Sequence, residues 1–207
     1  MDNEVNLGEM ANALAEQGYC ITDRFMNGQE VDSILLSQLF QHAHINFRKA
    51  GIGKTNQHQV NEEIRNDYIQ WLDPDDCEDP VKLYFSKVNL LIHFFNKELF
   101  LSLKDSEIHA AIYPAGSYYK RHLDQFKKDD HRKISIVLYL NKEWEEKDGG
   151  QLRIFLPDGF IDIPPLAGRL VCFRSDLVEH EVLPSNCNRL SITGWLLDQR
   201  SELRMLW

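Results

Sequence analysis

His122, Asp124, His180 and Arg189 are the residues of this chain whose types and spacing could do chemistry. Two imidazoles and one carboxylate that leave open positions between them form the donor set that suits non-haem Fe(II). Histidine ligates as the neutral imidazole and aspartate as the anion, so the set delivers one negative charge and leaves roughly half an octahedron free. A structural zinc site would be closed by a fourth ligand, usually Cys, and neither Cys172 nor Cys187 stands at a ligand-like spacing.

An H-x-D triplet by itself is weak evidence, and His122 alone is equally consistent with an ordinary strand histidine. Residues i and i+2 of a strand project from one face, which would bring His122 and Asp124 to one point and leave a facing strand to supply the third ligand. His180 opens the alternating run His180-Glu181-Val182-Leu183-Pro184 and is the candidate; taken singly it could also be a polar residue at a strand edge. Period two places Arg189, Ser191, Thr193 and Trp195 on one face of a later strand. A pocket-facing arginine needs an acid, because an unpaired buried charge costs about 3–5 kcal/mol. Its planar fork suits a carboxylate arriving from outside, although a surface arginine at a strand start fits this strand equally well. On the strand around Ile134–Leu140, Val137 and Tyr139 share one face and Ile136, Leu138 and Leu140 the other. A buried phenol wants a hydrogen-bond partner. Tyr139 could meet the carboxylate held by Arg189, and Tyr113 a group nearer the metal; either could equally be plain core.

The elements that must position these groups follow from the pattern along the 207 residues. Leu7, Met10, Ala11 and Leu14 predict a first helix ended by Gly18, and Val31, Ile34, Leu35, Leu39 and Phe40 a second, ended by the Gly51-Ile52-Gly53 loop. Residues 61–72 include a short strand around Ile69 and Trp71, before the turn at Asp73-Pro74-Asp75-Asp76. A third helix runs from about Pro80 to Phe100 with Leu83, Val88, Leu91, Phe94 and Phe95 on its buried side. From Ser106 the texture changes to short β-branched and aromatic runs: residues 107–113, 119–123, 133–141, 152–155, 159–163, 169–173, 179–183 and 189–196. About eight strands after a helical layer predict an α+β fold, a jelly-roll (double-stranded β-helix) core over 106–200 supported by helices in 1–105. No repeat or linker divides the chain, so 1–207 reads as one domain.

Composition narrows the partners. The formal net charge of −9 argues against a general nucleic-acid or anionic-membrane binder. Cys20, Cys77, Cys172 and Cys187 form no C-x-x-C pair and no disulfide framework, which fits a reducing compartment. The first sixteen residues lack Lys and Arg, and the apolar stretch Val88–Leu103 is too polar for a bilayer span, so a cytoplasmic location is expected. Lys120, Arg121, Lys127, Lys128, Arg132 and Lys133 cluster around the first metal motif, either to meet an acidic face of a protein substrate or as a solvated hairpin.

With these residues assembled, the segment from Tyr113 to Asp198 resembles the Fe(II)- and 2-oxoglutarate-dependent oxygenases, and among them the hypoxia-inducible-factor type of prolyl hydroxylase and its bacterial relatives. The resemblance is carried by Tyr113-Pro114, Tyr119, Arg121-His122-Leu123-Asp124, Tyr139 through Trp144, Gly149 through Phe155, His180-Glu181-Val182 and Arg189 through Trp195. It implies His122, Asp124 and His180 as iron ligands, and Arg189 as the partner of the 2-oxoglutarate C5 carboxylate with help from Tyr139 and Thr193. Tyr113, Val137 and Leu152 would line the co-substrate pocket, and Tyr119, Arg121 and Trp195 would stand near a target proline in a protein substrate. The interval between Tyr113 and His122 is slightly shorter than in the animal enzymes, so Tyr118 and Tyr119 both remain candidates for one role. The implied reaction consumes O2 and 2-oxoglutarate, releases succinate and CO2 and is supported by ascorbate as reductant; a carboxylate at 124 favours hydroxylation over halogenation. Other substrates for the same chemistry are a free amino acid, a lysyl residue or an alkylated base, and a rival of another class is a non-catalytic jelly-roll sensor of metal or dicarboxylate.

Overall fold

Asn6 caps the first helix by accepting from the Glu9 N–H, and Gly18 ends it in the left-handed region at φ 82°, where glycine has no steric cost. The computed structural model describes residues 5–51, 63–125 and 130–201. In chain order the helical part contains α1 (Leu7–Gln17), β1 (Tyr19–Thr22), α2 (Gly28–Leu36), α3 (Gln38–Gln41), α4 (Ala43–Asn46), β2 (Arg48–Lys49), β3 (Tyr68–Leu72) and α5 (Asp79–Leu99). The strand-rich part contains β4 (Asp105–Tyr113), β5 (Tyr119–His122), β6 (Arg132–Tyr139), β7 (Leu152–Leu156), β8 (Gly159–Ile163), β9 (Leu170–Arg174), β10 (His180–Val182) and β11 (Arg189–Leu197).

The eight strands expected after Ser106 are all present, with ends shifted by a residue or two. The helical half differs more. The apolar stripe from Val31 to Phe40 is divided at Ser37, whose backbone turns extended and whose hydroxyl donates to Ile34 O. The described residues before Asp105 also supply three strands of the larger sheet, β1, β2 and β3, of which only β3 was expected. Four residues are too short to read as a strand alone; β1 exists because β9 offers it an edge, pairing Tyr19 with Phe173 through Thr22 with Leu170. Ile52, Gly53 and residues 61–62 of the expected loop and strand lie outside the described residues.

Two antiparallel sheets make the jelly roll. The larger has the order β1-β9-β6-β11-β4-β3-β2, and the smaller β5-β10-β7-β8. One face of the larger sheet packs under α5, which buries Val81, Tyr84, Phe85, Val88, Leu91, Ile92 and Phe95. Leu83, expected on that side, is 40 % exposed, and Phe94 is half-buried; the buried stripe is rotated toward Tyr84 and Ile92. Each such side chain contributes about 1.5–3 kcal/mol, so this face anchors the scaffold on which the other face is built. The strand alternation read for β6 holds: Ile136, Leu138 and Leu140 join the helix-side core, and Val137 and Tyr139 join a second cluster between the sheets with Leu152, Ile154 and Phe173. Among the described residues no helix is long and apolar enough to cross a membrane.

Candidate metal centre and co-substrate pocket

The pocket opens between the sheets. β5 ends at His122, and Asp124 follows in a bend, so the two side chains converge through a strand end and a turn where a continuous strand was expected. The third group comes from the neighbouring strand of the same sheet: His180 on β10 is the register partner of His122. His122 Nε2 lies 3.5 Å from Asp124 Oδ1 and His180 Nε2 lies 3.7 Å from Asp124 Oδ2. All three ligating atoms fall within 4.8 Å of one another, a spacing one cation can bridge.

The surroundings prepare each group. His122 Nδ1 donates to Lys120 O at 2.7 Å and His180 Nδ1 to Val178 O at 3.1 Å, so in each ring Nε2 is the nitrogen left to ligate, and it is the atom turned to the centre. Burial would raise the Asp124 pKa, but His180, His122 and the Ser135 hydroxyl outweigh it and hold the carboxyl well below the usual carboxylate range. Burial, with His122 beside it, pushes His180 down to about 4 against the pull of Asp124. An ionised Asp124 carboxylate and a His180 held neutral are thus present before any metal arrives, and with His122 the two imidazoles and one carboxylate make a donor set that fits Fe(II).

Ser135 donates to Asp124 Oδ2 at 2.7 Å and contacts Ser175 Oγ at 2.8 Å, with both serines buried. Sequence reading missed this pair, although Ser135 shares the face of Val137 and Tyr139 and alternation could have found it. Ser135→Ala is expected to weaken divalent-metal affinity about 10–100-fold, the usual cost of losing a group that orients a ligand. Ser175→Ala, one hydroxyl further away, should cost less. Competition titration with Zn(II) measures both, and an Ser135→Ala affinity equal to wild type would show that the hydroxyl pair does not orient Asp124.

Arg189, 3 % exposed, is the second fixed charge of the pocket. Its Nε donates to Gly150 O at 2.8 Å, and its guanidinium carbon lies 4.9 Å from the ring centres of both Tyr113 and Tyr139. Gly150 is required there: it sits at φ 72°, and a Cβ would come within 3.0 Å of Arg189 Cδ. Among the described residues no carboxylate pairs with Arg189, and the buried Tyr139 hydroxyl has no hydrogen-bond partner. A buried cation beside an unsatisfied hydroxyl is the receptor for an acid brought in with a ligand.

Tyr113, Tyr119, Val137, Leu152, Thr193 and Trp195 line the same pocket as the three metal-binding groups and Arg189. Tyr139 is not on the pocket wall; it stands beside Arg189 in the core between the sheets. Arg121 is not on the pocket wall: it turns away from His122 and Tyr119, pairs with Glu179 and covers the Phe155 ring at 3.9 Å. Lys127 and Lys128 of the basic cluster lie outside the described residues. The pocket wall also holds groups the sequence reading passed over, Arg65 and His109. His109 follows from the alternation His109, Ala111, Tyr113 along β4; its Nδ1 is buried without a partner.

Burial, and then the cations Arg65 and Arg132, push His109 down to about 3, against Asp124. An unfolded histidine takes its proton near pH 6.5, so this contribution to stability is complete above pH 6.5 and is lost as pH falls from there toward 3. His180 acts in the same direction in the metal-free protein. Each is expected to cost about 2 kcal/mol between pH 7 and pH 5. Urea melts of the metal-free protein at the two pH values should show His109→Leu with a visibly smaller loss than wild type; equal losses would mean that His109 is protonated in the fold.

The profile of the 2OG-Fe(II) oxygenase superfamily matches residues 108–197. Human prolyl hydroxylase EGLN3 is 32 % identical over 97 % of this chain and 88 % of its own length. Human Egl nine homolog 1 is 32 % identical over 91 % of this chain and 46 % of its own. The crystal structure of a Pseudomonas putida prolyl-4-hydroxylase superimposes with a TM-score of 0.85 at 39 % identity, covering 95 % of this chain and all of that one. A Trichoplax adhaerens prolyl hydroxylase in complex with a hypoxia inducible factor peptide fragment gives 0.83 at 29 % identity, covering 93 % and 89 %. Fe(II), 2-oxoglutarate and O2 are the requirements of this family, and the donor set and the unpaired arginine agree with them. The chain belongs to the 2OG-Fe(II) oxygenase superfamily, where it is homologous to the EGLN and bacterial prolyl hydroxylases.

Proposed function

We propose that this chain acts as a single-domain oxygenase that hydroxylates a prolyl residue of a protein substrate. The observation that carries the reading is one pocket that holds a His-Asp-His set within bridging distance and, on its wall, a buried arginine without an acid partner. When bound, Fe(II) with O2 and 2-oxoglutarate supplies the oxidation: the oxo acid becomes succinate and CO2, and one oxygen atom enters the substrate C–H bond as hydroxyl.

The chain's own residues bind, orient and exclude water. His122, Asp124 and His180 hold the metal, Asp124 giving the single negative charge. Arg189 holds the distal carboxylate of 2-oxoglutarate with its fork, and the Tyr139 hydroxyl donates to the same group. Tyr113 and Thr193 offer hydroxyls along the co-substrate, and Val137 and Leu152 flank its carbon chain and keep water from the reacting centre. Trp195 and the edge of Tyr119 form the wall nearest an incoming prolyl ring. The net charge of −9 speaks against a nucleic-acid substrate, and four free cysteines, two of them facing across β1 and β9, fit the cytoplasm.

The test incubates the protein with Fe(II), 2-oxoglutarate, ascorbate and protein extract, and reads succinate release together with peptide mass spectrometry. The proposal expects succinate coupled to a single oxygen added on prolyl residues of one or a few proteins. Oxygen on lysyl residues or on free amino acids would move the same chemistry to another substrate, and metal binding without any succinate would leave a non-catalytic sensor.

A further inference from the structure

His122 sits at the end of a four-residue strand that forms the edge of the smaller sheet, and β10 holds this strand by only two register pairs, His180 with His122 and Val182 with Tyr119. Three steps along β5 face two along β10, so one extra residue is accommodated. That irregularity puts residues 119 and 122, which a regular strand would turn to opposite faces, on the same side. The Tyr119 ring lies flat on the His122 imidazole, with centroids 3.6 Å apart and planes 17° from parallel. The other face of Tyr119 is covered by the Arg65 guanidinium at 4.3 Å.

Arg65 is itself fixed. It binds the fully buried Asp67 through two hydrogen bonds, Nε to Oδ1 at 2.7 Å and Nη2 to Oδ2 at 2.6 Å. Residues 64–66 run along the free edge of β5: Lys120 N donates to Ile64 O at 2.9 Å, Tyr118 N to Asn66 Oδ1 at 2.9 Å, and Arg65 and Tyr119 form a bridge. Two residues later the same segment becomes β3 and joins the larger sheet beside β4. A single stretch therefore ties the two sheets together at the pocket and ends on a ligand ring.

We propose that Arg65 and Tyr119 are positioning residues for the metal: the Arg65–Tyr119–His122 stack, anchored by Asp67, holds the His122 imidazole in its ligating orientation and sets how tightly the metal is retained. The proposal rests on the assignment of His122 as a ligand. The stack supplies the restraint that the short, irregular strand does not. One ring face of His122 is closed by Tyr119, its Nδ1 is fixed on Lys120 O, and Nε2 is left with one direction to point. Substrate contacts on 64–67 would be felt at the metal through the same stack.

Co(II) alone, titrated into the metal-free full-length chain, tests this without turnover, because its visible bands report the ligand geometry as well as the affinity. His122→Ala must weaken Co(II) binding; if it does not, the ligand assignment fails and the proposal with it. Tyr119→Phe, which keeps the ring, is expected to bind Co(II) within about threefold of wild type with the same bands. Tyr119→Leu and Tyr119→Met, which remove the stack, should bind about 10–100-fold more weakly with altered bands. The Arg65→Met/Asp67→Asn double variant, which leaves no buried charge behind, should lie between these limits. Two non-aromatic replacements guard against one that does not fold, judged by circular dichroism. Wild-type affinity and bands in either folded Tyr119 variant, or a loss in Tyr119→Phe as large as in Tyr119→Leu, overturns the proposal.

Discussion

Arg189→Leu is expected to abolish 2-oxoglutarate-dependent succinate release and yet leave the metal-free protein at least as stable as wild type. The two effects have one cause. In the free protein Arg189 is 3 % exposed, it is held by Gly150 O and two tyrosine rings, and no carboxylate among the described residues offsets the desolvation of its charge. Replacing a buried charge by a well-packed apolar group is neutral to stabilising, and leucine removes the burial cost at the price of one hydrogen bond to Gly150. The ligand then loses its partner. By the scale for breaking a buried ion pair, about 3–5 kcal/mol, 2-oxoglutarate affinity should fall on the order of 10³-fold. Melting curves with and without ligand display the inversion. Wild type should gain about 2.7 kcal/mol at a 2-oxoglutarate concentration 100 times its Kd, and the variant nothing at the same concentration. Arg189→Lys should fall between, since it keeps the charge and loses the fork. A variant that is less stable when free and still stabilised by 2-oxoglutarate would contradict this role for Arg189.

Asp124→Ala should produce the other large loss. The centre offers one anion, and without it two neutral imidazoles must hold a divalent cation in a buried site. On the same scale the deficit is about 3–5 kcal/mol, on the order of 10³-fold in metal affinity, and succinate release should vanish at ordinary iron concentrations. Asp124→Glu keeps the charge, but its longer arm displaces the oxygen that Ser135 holds at 2.7 Å, so partial metal binding with little turnover is expected. Calorimetric titration with Mn(II) and a succinate assay read the two quantities separately. Near wild-type metal affinity in Asp124→Ala would place the metal elsewhere.

Much of this site could be read from spacing because it depends on local rules. Period two along β11 put Arg189, Thr193 and Trp195 into one pocket, and along β6 it separated Val137 and Tyr139 from Ile136 and Leu138. The break in that rule explains Arg121: with an extra residue between the paired positions 119 and 122, both of these line the pocket and Arg121 between them turns out toward Glu179 and Phe155. What escaped depends on contacts distant in sequence. β1 is a strand because of a partner about 150 residues away. Arg65 meets Tyr119 only once the sheets are assembled. The break at Ser37 escaped for another reason, a local hydrogen bond from its hydroxyl to Ile34 O that the apolar stripe does not reveal. The ligand triad was legible as a motif, but its geometry was not: the expected continuous strand and facing strand are a strand end with a bend at Asp124 and a register partner of the same sheet, His180.

An anaerobic crystal structure with Fe(II) and 2-oxoglutarate, phased to show anomalous scattering at the iron edge, measures the central claim directly. The account predicts one iron peak within bonding distance of His122 Nε2, Asp124 and His180 Nε2, with the distal carboxylate of 2-oxoglutarate on the Arg189 fork. An iron peak away from those three atoms, or a 2-oxoglutarate carboxylate that leaves Arg189 unpaired, would contradict it.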